Sequence, residues 1–381
     1  MNGSGKHNNW SLSTDDGLNL LDPGKTPYES MQFLILLCAV ITAVDKHADL
    51  LRMSAAGAGN DHRLGGSEAP PAIISIFLGE QLTSVLTRFA AGGDAPEADP
   101  GELFADIATL PTLKRDDSDR NRTSPFAFTG NKFEFRMVGS PASIACANWV
   151  LNSIVAESLD DICTRLEGAR DFDGEVRAIL ADTMRRHGRV IYNGNNYTAE
   201  WVEEAARRGL PNLRDTVAAA SALRNPVNVG LLERCHVLTP VECESRYEIM
   251  LENYAKIVTI EASTMLEMAQ RQILPAVVRV AGECAKSSNQ MREAGFENKS
   301  LRDLLRRLSH RISELSDAIA MLGLAVDEAH SLTDVSACAA HCRNALVGRM
   351  DALRDAADAA EAILPADQWP MPSYTDLLHR V

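Results

Sequence analysis

From Leu301 onward the apolar residues fall at alternating spacings of four and three: Leu301, Leu305, Leu308, Ile312, Leu315, Ile319, Leu322 and Val326. One turn of α-helix takes about 3.6 residues, so these side chains line a single stripe, and a stripe this long has to be covered by another helix. After a polar break at Ser331 to Asp334, Leu346, Met350, Leu353, Ala357, Ala360 and Leu364 repeat the pattern. Two seams joined by so short a break predict an antiparallel helical hairpin over about 300–364. Either the two seams satisfy each other and the hairpin closes on its own domain, or the seam serves as an oligomer contact or docking arm. Helix begins well upstream: Thr239 to Ile273 reads as one long helix stopped by Pro275, with a further helix to about Ala285. The aromatic and proline tail, Trp369-Pro-Met-Pro-Ser-Tyr374, is expected to dock against a neighbouring surface.

The front of the chain carries the other period. In Lys132-Phe133-Glu134-Phe135-Arg136 charged and aromatic residues alternate, with Met137 and Val138 following. This predicts a strand with a buried apolar face and an opposite face reading plus, minus, plus. Upstream, Arg120 and Arg122 bracket Asn121, and Pro125 and Gly130 mark turns that fold those arginines back beside the strand. Four cations around one carboxylate suit a site for a polyanion and a divalent metal, because guanidinium forks match phosphate and carboxylate oxygens. The same residues also describe a solvated strand face with cross-strand ion pairs.

Residues Asn2 to Ser11 combine glycines that let backbone N–H groups approach an anion with His7, a metal-ligand type, and Ser11, a phosphate donor type. A loose N-terminus has the same composition. Tyr28 to Met53 predicts a long one-sided helix leading into a Gly/Pro-rich loop, Asn60 to Pro71, that carries Arg63 and Glu68. Ala72 to Phe77 reads as a strand, Gly79 to Phe89 as a helix and Ala90 to Pro100 as an exposed insertion. Asn148 to Glu167, Gly174 to His187 and Ala199 to Arg208 read as helices, and Asn193-Gly194-Asn195-Asn196 as a turn.

The formal net charge of −14 excludes general nucleic-acid binding, which calls for a basic face, so any anion site must be local. Eight cysteines at 38, 146, 163, 235, 243, 284, 338 and 342 form no CxxC pair, as expected of reduced thiols in an intracellular protein. Cys338, His341 and Cys342 have metal-ligand types, but their Ala-rich helical setting favours buried small residues, and no metal is placed there. The longest apolar run, Phe33 to Val44, is too short to span a bilayer. A glycine-rich loop directly after Met1, with no element before it, suggests a fragment.

Three separated stretches share one chemistry: Asn2 to Ser11, Arg63 to Pro70 and Arg120 to Arg136. With Asn121 to Arg136, Glu68 to Leu82 and Glu244 to Tyr254 each similar almost word for word to the type III form, they together resemble the type III branch of glutamine synthetase. The resemblance runs from the first residues to the tail. It implies an α+β fold in which an incomplete glutamine-synthetase-like catalytic sheet with helices (1–150) precedes a large all-helical C-terminal region (151–381) containing the hairpin. It further implies ATP-dependent ligation of ammonia to L-glutamate through a γ-glutamyl phosphate. Alternatives are a non-catalytic assembly module and a related glutamate-amine ligase.

Carried over residue by residue, the resemblance implies that His7 and Glu134 hold Mg2+ or Mn2+. Asn2 and Gly3 would meet the amino-acid substrate, and Arg63 and Arg136 its carboxylates. Glu68 would sit on a flap and help deprotonate ammonium, while Ser11, Arg122 and Lys132 would face the ATP phosphates, with Arg122 also acting in catalysis. Lys132 stands where the better-known bacterial type has arginine and Asn9 where it has histidine. Phe126 or Ala127 occupies the place of a further phosphate arginine. The family also implies a homo-oligomer, a dodecamer, located in the cytoplasm or, with a transit peptide, in an organelle, and no nucleic-acid or membrane partner.

Overall fold

The computed structural model describes residues 5–24, 30–66, 69–93, 102–103, 113–114, 121–372 and 374–379. It divides into two compact units, Met1–Met250 and Leu251–Val381. Within the first unit the helices between 151 and 250 share one hydrophobic core with the strands.

The first unit holds a four-stranded mixed sheet in the order β1-β6-β5-β2. Its strands are β1 (Asn8–Trp10), β2 (Ile76–Phe77), β5 (Phe126–Phe128) and β6 (Phe133–Phe135). A separate ribbon joins β3 (Glu102–Leu103) to β4 (Leu113–Lys114). β1 and β5 flank β6 antiparallel, and β2 runs parallel to β5. Thr129 to Lys132 turn the chain between β5 and β6, with Gly130 at φ 96°, where a side chain would strain the backbone. The strand expected over Ala72 to Phe77 shortens to β2, since the residues before it leave the ladder after Pro70 and Pro71.

The sheet's apolar face is aromatic. Phe126 stacks on Phe133 with centroids 4.6 Å apart, Phe135 meets Phe126 edge-on, and Phe33 of α1 (Met31–Lys46) reaches Phe128 at 5.7 Å. Each such buried ring stabilises by roughly 1.5–3 kcal/mol. Instead of one helix to Met53, α1 ends at Lys46 and α2 (Ala48–Met53) starts anew around His47. The break follows from the fully buried His47 ring, whose nitrogens meet Asn228 Oδ1 and Glu157 Oε2, each at 2.8 Å. Short α3 (Ala58–Asp61) and α4 (Glu80–Ala90) follow. α5 (Ala145–Glu167) and α6 (Phe172–His187) pack on α1, and α7 (Ala199–Arg207), α8 (Thr216–Ala220) and α9 (Pro226–Arg234) complete the layer.

The second unit is helical. α10 (Pro240–Met268) does not stop ahead of Pro275: a π-turn at Ala269–Ile273 passes directly into α11 (Leu274–Glu293). The wider turn accommodates a proline that lacks an N–H and crowds the preceding turn. α12 (Lys299–Ser331) lies against both α11 and α14 (Val347–Glu361), burying Leu308, Leu315, Ile319 and Leu322 of its seam. The chain reverses at residues 332–334 into α13 (Val335–His341). Cys338 Sγ there faces the Ala329 carbonyl, and His341 Nε2 donates to that of Ala325 at 2.9 Å, as in an antiparallel pair. A second π-turn, Cys342–Leu346, joins α13 to α14, and α15 (Tyr374–His379) closes the described chain. No helix among the described residues is long and apolar enough to cross a membrane.

Candidate active site

The polar face of the sheet is built by alternation. Asn8 and Trp10 of β1 point inward, where Asn8 Nδ2 donates to Asn148 Oδ1 at 2.8 Å and Trp10 Nε1 to Asn152 Oδ1 at 2.9 Å, seating the strand on α5. His7, Asn9 and Ser11 therefore share the other face. On β6, Phe133 and Phe135 are buried, and Lys132, Glu134 and Arg136 take the alternate positions. The register sets Asn9 opposite Glu134 and Ala127 on Glu134's other side. His7 Nδ1 thereby comes to 3.6 Å from Glu134 Oε2, with the histidine side chain 60% exposed and the glutamate 20%.

Glu134 is shared. The same Oε2 accepts from Arg136 Nη2 at 2.9 Å and Nε at 3.2 Å. Arg136, itself buried, also donates from Nη1 to the carbonyls of Asn121 and Ser124. The segment before Pro125 thus folds back beside the strand, as its turn residues imply. Arg122 stands exposed at the bend, and its guanidinium, like the half-buried Lys132 ammonium, makes no ion pair among the described residues. Arg120 lies outside the described residues, as do Asn2, Gly3 and Glu68.

Arg63 and Ser11 are placed differently from free ligand-facing groups. Arg63 Nη1 and Nη2 donate at 3.0 Å to the carbonyls of Met137 and Arg136, and Nη1 also to Asn60 Oδ1 at 3.2 Å. Burial holds its pKa below the usual guanidinium range. The guanidinium lies against Gly5, where a Cβ would come within 2.2 Å of Nη2, so a larger residue there would displace it. Arg63 thus ties α3 to the end of β6. Ser11 Oγ is engaged by Asn19 Oδ1 at 2.7 Å and the Asn131 carbonyl at 3.2 Å, pinning the chain after β1 to the β5–β6 turn.

Sequence reasoning misses the asparagines that hold this arrangement. Buried Asn60 donates to the carbonyls of Ala55 at 2.6 Å and Met137 at 2.8 Å while accepting from Arg63. Asn148 and Asn152, four apart on α5, were legible as polar positions on an otherwise apolar face. Asn60 sits in a loop of mixed polar residues and carries no such signal.

Comparison with known proteins fits this geometry. Residues 175–292 match the family described as glutamine synthetase C-terminal domain. Over 99% of its length the chain is 40% identical to the type-3 glutamine synthetase of Dictyostelium discoideum and 40% identical to a glutamine synthetase of Butyrivibrio fibrisolvens. It is 35% identical, over the same share, to a glutamine synthetase of Bacteroides fragilis. The chain spans about half the length of these curated relatives: 53% of the first and 54% of the other two. Glutamine synthetase likeness thus covers both the sheet that bears His7 and Glu134 and the helices behind it.

Proposed function

We propose that this chain carries part of the site of a type 3 glutamine synthetase, ligating ammonia to L-glutamate at the expense of ATP. The observation that carries the reading is the convergence of His7 and Glu134 at 3.6 Å on one sheet face, beside Arg136. An imidazole nitrogen and a carboxylate oxygen fit Mg2+ or Mn2+, and the exposed ring leaves room for water and phosphate oxygens to complete the shell. Among the described residues no third His, Cys, Asp or Glu joins them, so further ligands come from outside these two. When bound, such an ion neutralises charge on a transferring phosphoryl group.

The chain's own residues then divide the work. Glu134 and His7 hold the ion. Arg136, fixed by backbone carbonyls and by Glu134, adds positive charge for a substrate carboxylate beside the ion, and Arg122 and Lys132 present cations to nucleotide phosphates. Glutamate's side-chain carboxylate is too poor an electrophile for an amine. It takes the terminal phosphoryl group of ATP, leaving ADP, and ammonia then displaces phosphate from the acyl phosphate. Positioning and charge neutralisation supply most of the rate in such transfers. Glu68 is proposed to take the proton from ammonium, and Asn2 and Gly3 to meet the amino acid. Arg63 supports the strand on which the ligand set stands. The small sheet is read as part of a larger catalytic sheet completed by residues outside the matched half of the relatives. An assembled ring of cytoplasmic subunits accords with the family.

Mn2+ titration followed by electron paramagnetic resonance tests this. Glu134→Ala and His7→Ala are each expected to weaken Mn2+ binding by roughly tenfold to a hundredfold, in line with loss of a metal contact. Mn2+ affinity unchanged in both variants would sink the reading.

A further inference from the structure

The turn at 193–196 does more than reverse the chain. Asn121, which precedes Arg122, donates from Nδ2 to the Gly194 carbonyl at 2.7 Å and to the Asn193 carbonyl at 3.3 Å. Its Oδ1 accepts from the Thr123 amide at 2.9 Å and the Thr123 hydroxyl at 2.6 Å, while the Asn196 amide donates to that hydroxyl at 2.9 Å. The turn is itself fastened to the far side of the sheet. Asn193 Oδ1 accepts from the amides of Leu78 and Gly79, its Nδ2 donates to Thr83 Oγ1, and Asn196 Nδ2 donates to Ser75 Oγ at 2.8 Å. Gly194 passes so near Tyr192 that a Cβ would lie 2.5 Å from the phenol oxygen.

On its other side Asn121 meets the ligand set. Its carbonyl accepts from Arg136 Nη1, and the remaining guanidinium nitrogens of Arg136 hold Glu134. One residue thus joins a helical-region turn to two cations of the polar face: Arg136 by a hydrogen bond and Arg122 by chain connection. An amide suits this junction because it offers two donors on one arm and an acceptor on the other. A carboxylate of the same shape would turn lone pairs toward two carbonyls.

We propose that Asn121 is a positioning residue for the reaction: gripped by the 193–196 turn, it sets where Arg122 and Arg136 stand relative to Glu134. This rests on the function proposed above. It makes the turn part of the site's support, and it predicts that loosening Asn121 costs nucleotide and glutamate affinity while sparing the ion.

The test is equilibrium binding by the full chain of Mn2+, of a fluorescent ATP analogue with Mn2+, and of L-glutamate. Asn121→Ala and Asn121→Asp are expected to bind nucleotide and glutamate roughly tenfold more weakly, as loss of two hydrogen bonds to the turn implies. Mn2+ affinity stays within about twofold, because His7 and Glu134 remain; a merely structural role would not separate the ligands in this way. Thr123→Val keeps Asn121 and removes the hydroxyl on which Asn196 donates. It is expected to shift the same constants in the same direction by roughly threefold, and it carries the test if the Asn121 variants do not fold. Wild-type binding of ion and nucleotide with unchanged affinities in the folded variants would overturn the role of Asn121 alone. A wild-type chain that binds neither would overturn the proposed function and this role with it.

Discussion

In the first unit no strand of the mixed sheet exceeds three residues, and the ladder is extended by side chains that bond to distant backbone: Asn60 and Arg63 to Met137, Arg136 to Asn121 and Ser124. In the second unit long helices satisfy their own backbones, and most of their burial comes from apolar residues such as Leu308, Leu315, Leu322, Leu346 and Leu353. Polar side chains there make mostly exposed pairs along one helix, such as Lys256 with Glu252 and Arg271 with Glu267. The difference has a physical source. A helix closes its hydrogen bonds locally, so it needs only an apolar stripe to find its place, whereas a short strand leaves groups that other parts of the chain must answer. The site occurs where the backbone is held from a distance, since side chains fixed that way stand at defined angles on one face.

The comparison breaks first at the seam if it is wrong. Leu315 is fully buried on α12, and Leu315→Ala is expected to destabilise the chain by about 2–5 kcal/mol through lost burial and the cavity left behind. Denaturant unfolding measures it, and a loss below about 1 kcal/mol would mean that the seam does not hold the helices.

The pH dependence belongs to the first unit. Burial pushes the Asp61 carboxyl up to about 6, against the pull of the Thr216 amide and of the buried Arg52 guanidinium 3.6 Å away. The folded state therefore binds the proton more tightly than the unfolded chain. This contribution is fully present below the unfolded carboxylate value of about 4 and is lost as pH rises through about 6, a span of about 3 kcal/mol. Asp61→Asn is expected to remove that slope from the stability profile between pH 4 and pH 6.5, and a variant with the wild-type slope would assign the titration elsewhere. Somewhat smaller is the expected effect of Asn60→Ala. It strands the Ala55 carbonyl and one Arg63 donor and leaves the Met137 carbonyl with Arg63 alone, and about 2 kcal/mol is expected to be lost. A near-neutral result would erase the distinction between the units, because a polar fastener would then count for no more than a surface pair.

These contrasts explain what could be read in advance. The seam from Leu301 to Val326 made α12 legible, because helical periodicity is a local property of the sequence. Alternation in Lys132 to Arg136 likewise placed Glu134 and Arg136 on one face, and His7 reached that face through the β1 register. Pro275 misled, since a proline that ordinarily ends a helix is absorbed by the π-turn before it. His47 looked like part of a continuous helix because its partners, Asn228 and Glu157, lie far along the chain. The turn at Asn193 to Asn196 read only as a turn for the same reason. Asn193 and Asn196 are ordinary alone and acquire a role from Asn121, Leu78 and Ser75.

The smallest effect sharpens the contrast most. On α14, Arg354 Nε donates to Asp358 Oδ1 at 2.7 Å, a geometry as good as any in the site, yet the two side chains are 59% and 50% exposed. Water screens the attraction, ordering two long side chains opposes it, and the arginine precedes the aspartate, the less favourable order against the helix dipole. Arg354→Ala is accordingly expected to change stability by less than about 0.5 kcal/mol, with the difference shrinking further in 0.5 M salt, roughly what screening of an exposed pair predicts. Denaturant titration at low and high salt, run beside Asn60→Ala, makes the comparison direct. If Arg354→Ala cost as much as Asn60→Ala, distance and angle alone would set the worth of a polar contact. If it costs little, burial and the backbone groups left behind set it, and the face holding His7 and Glu134 is stiff because its fasteners have no water to replace them.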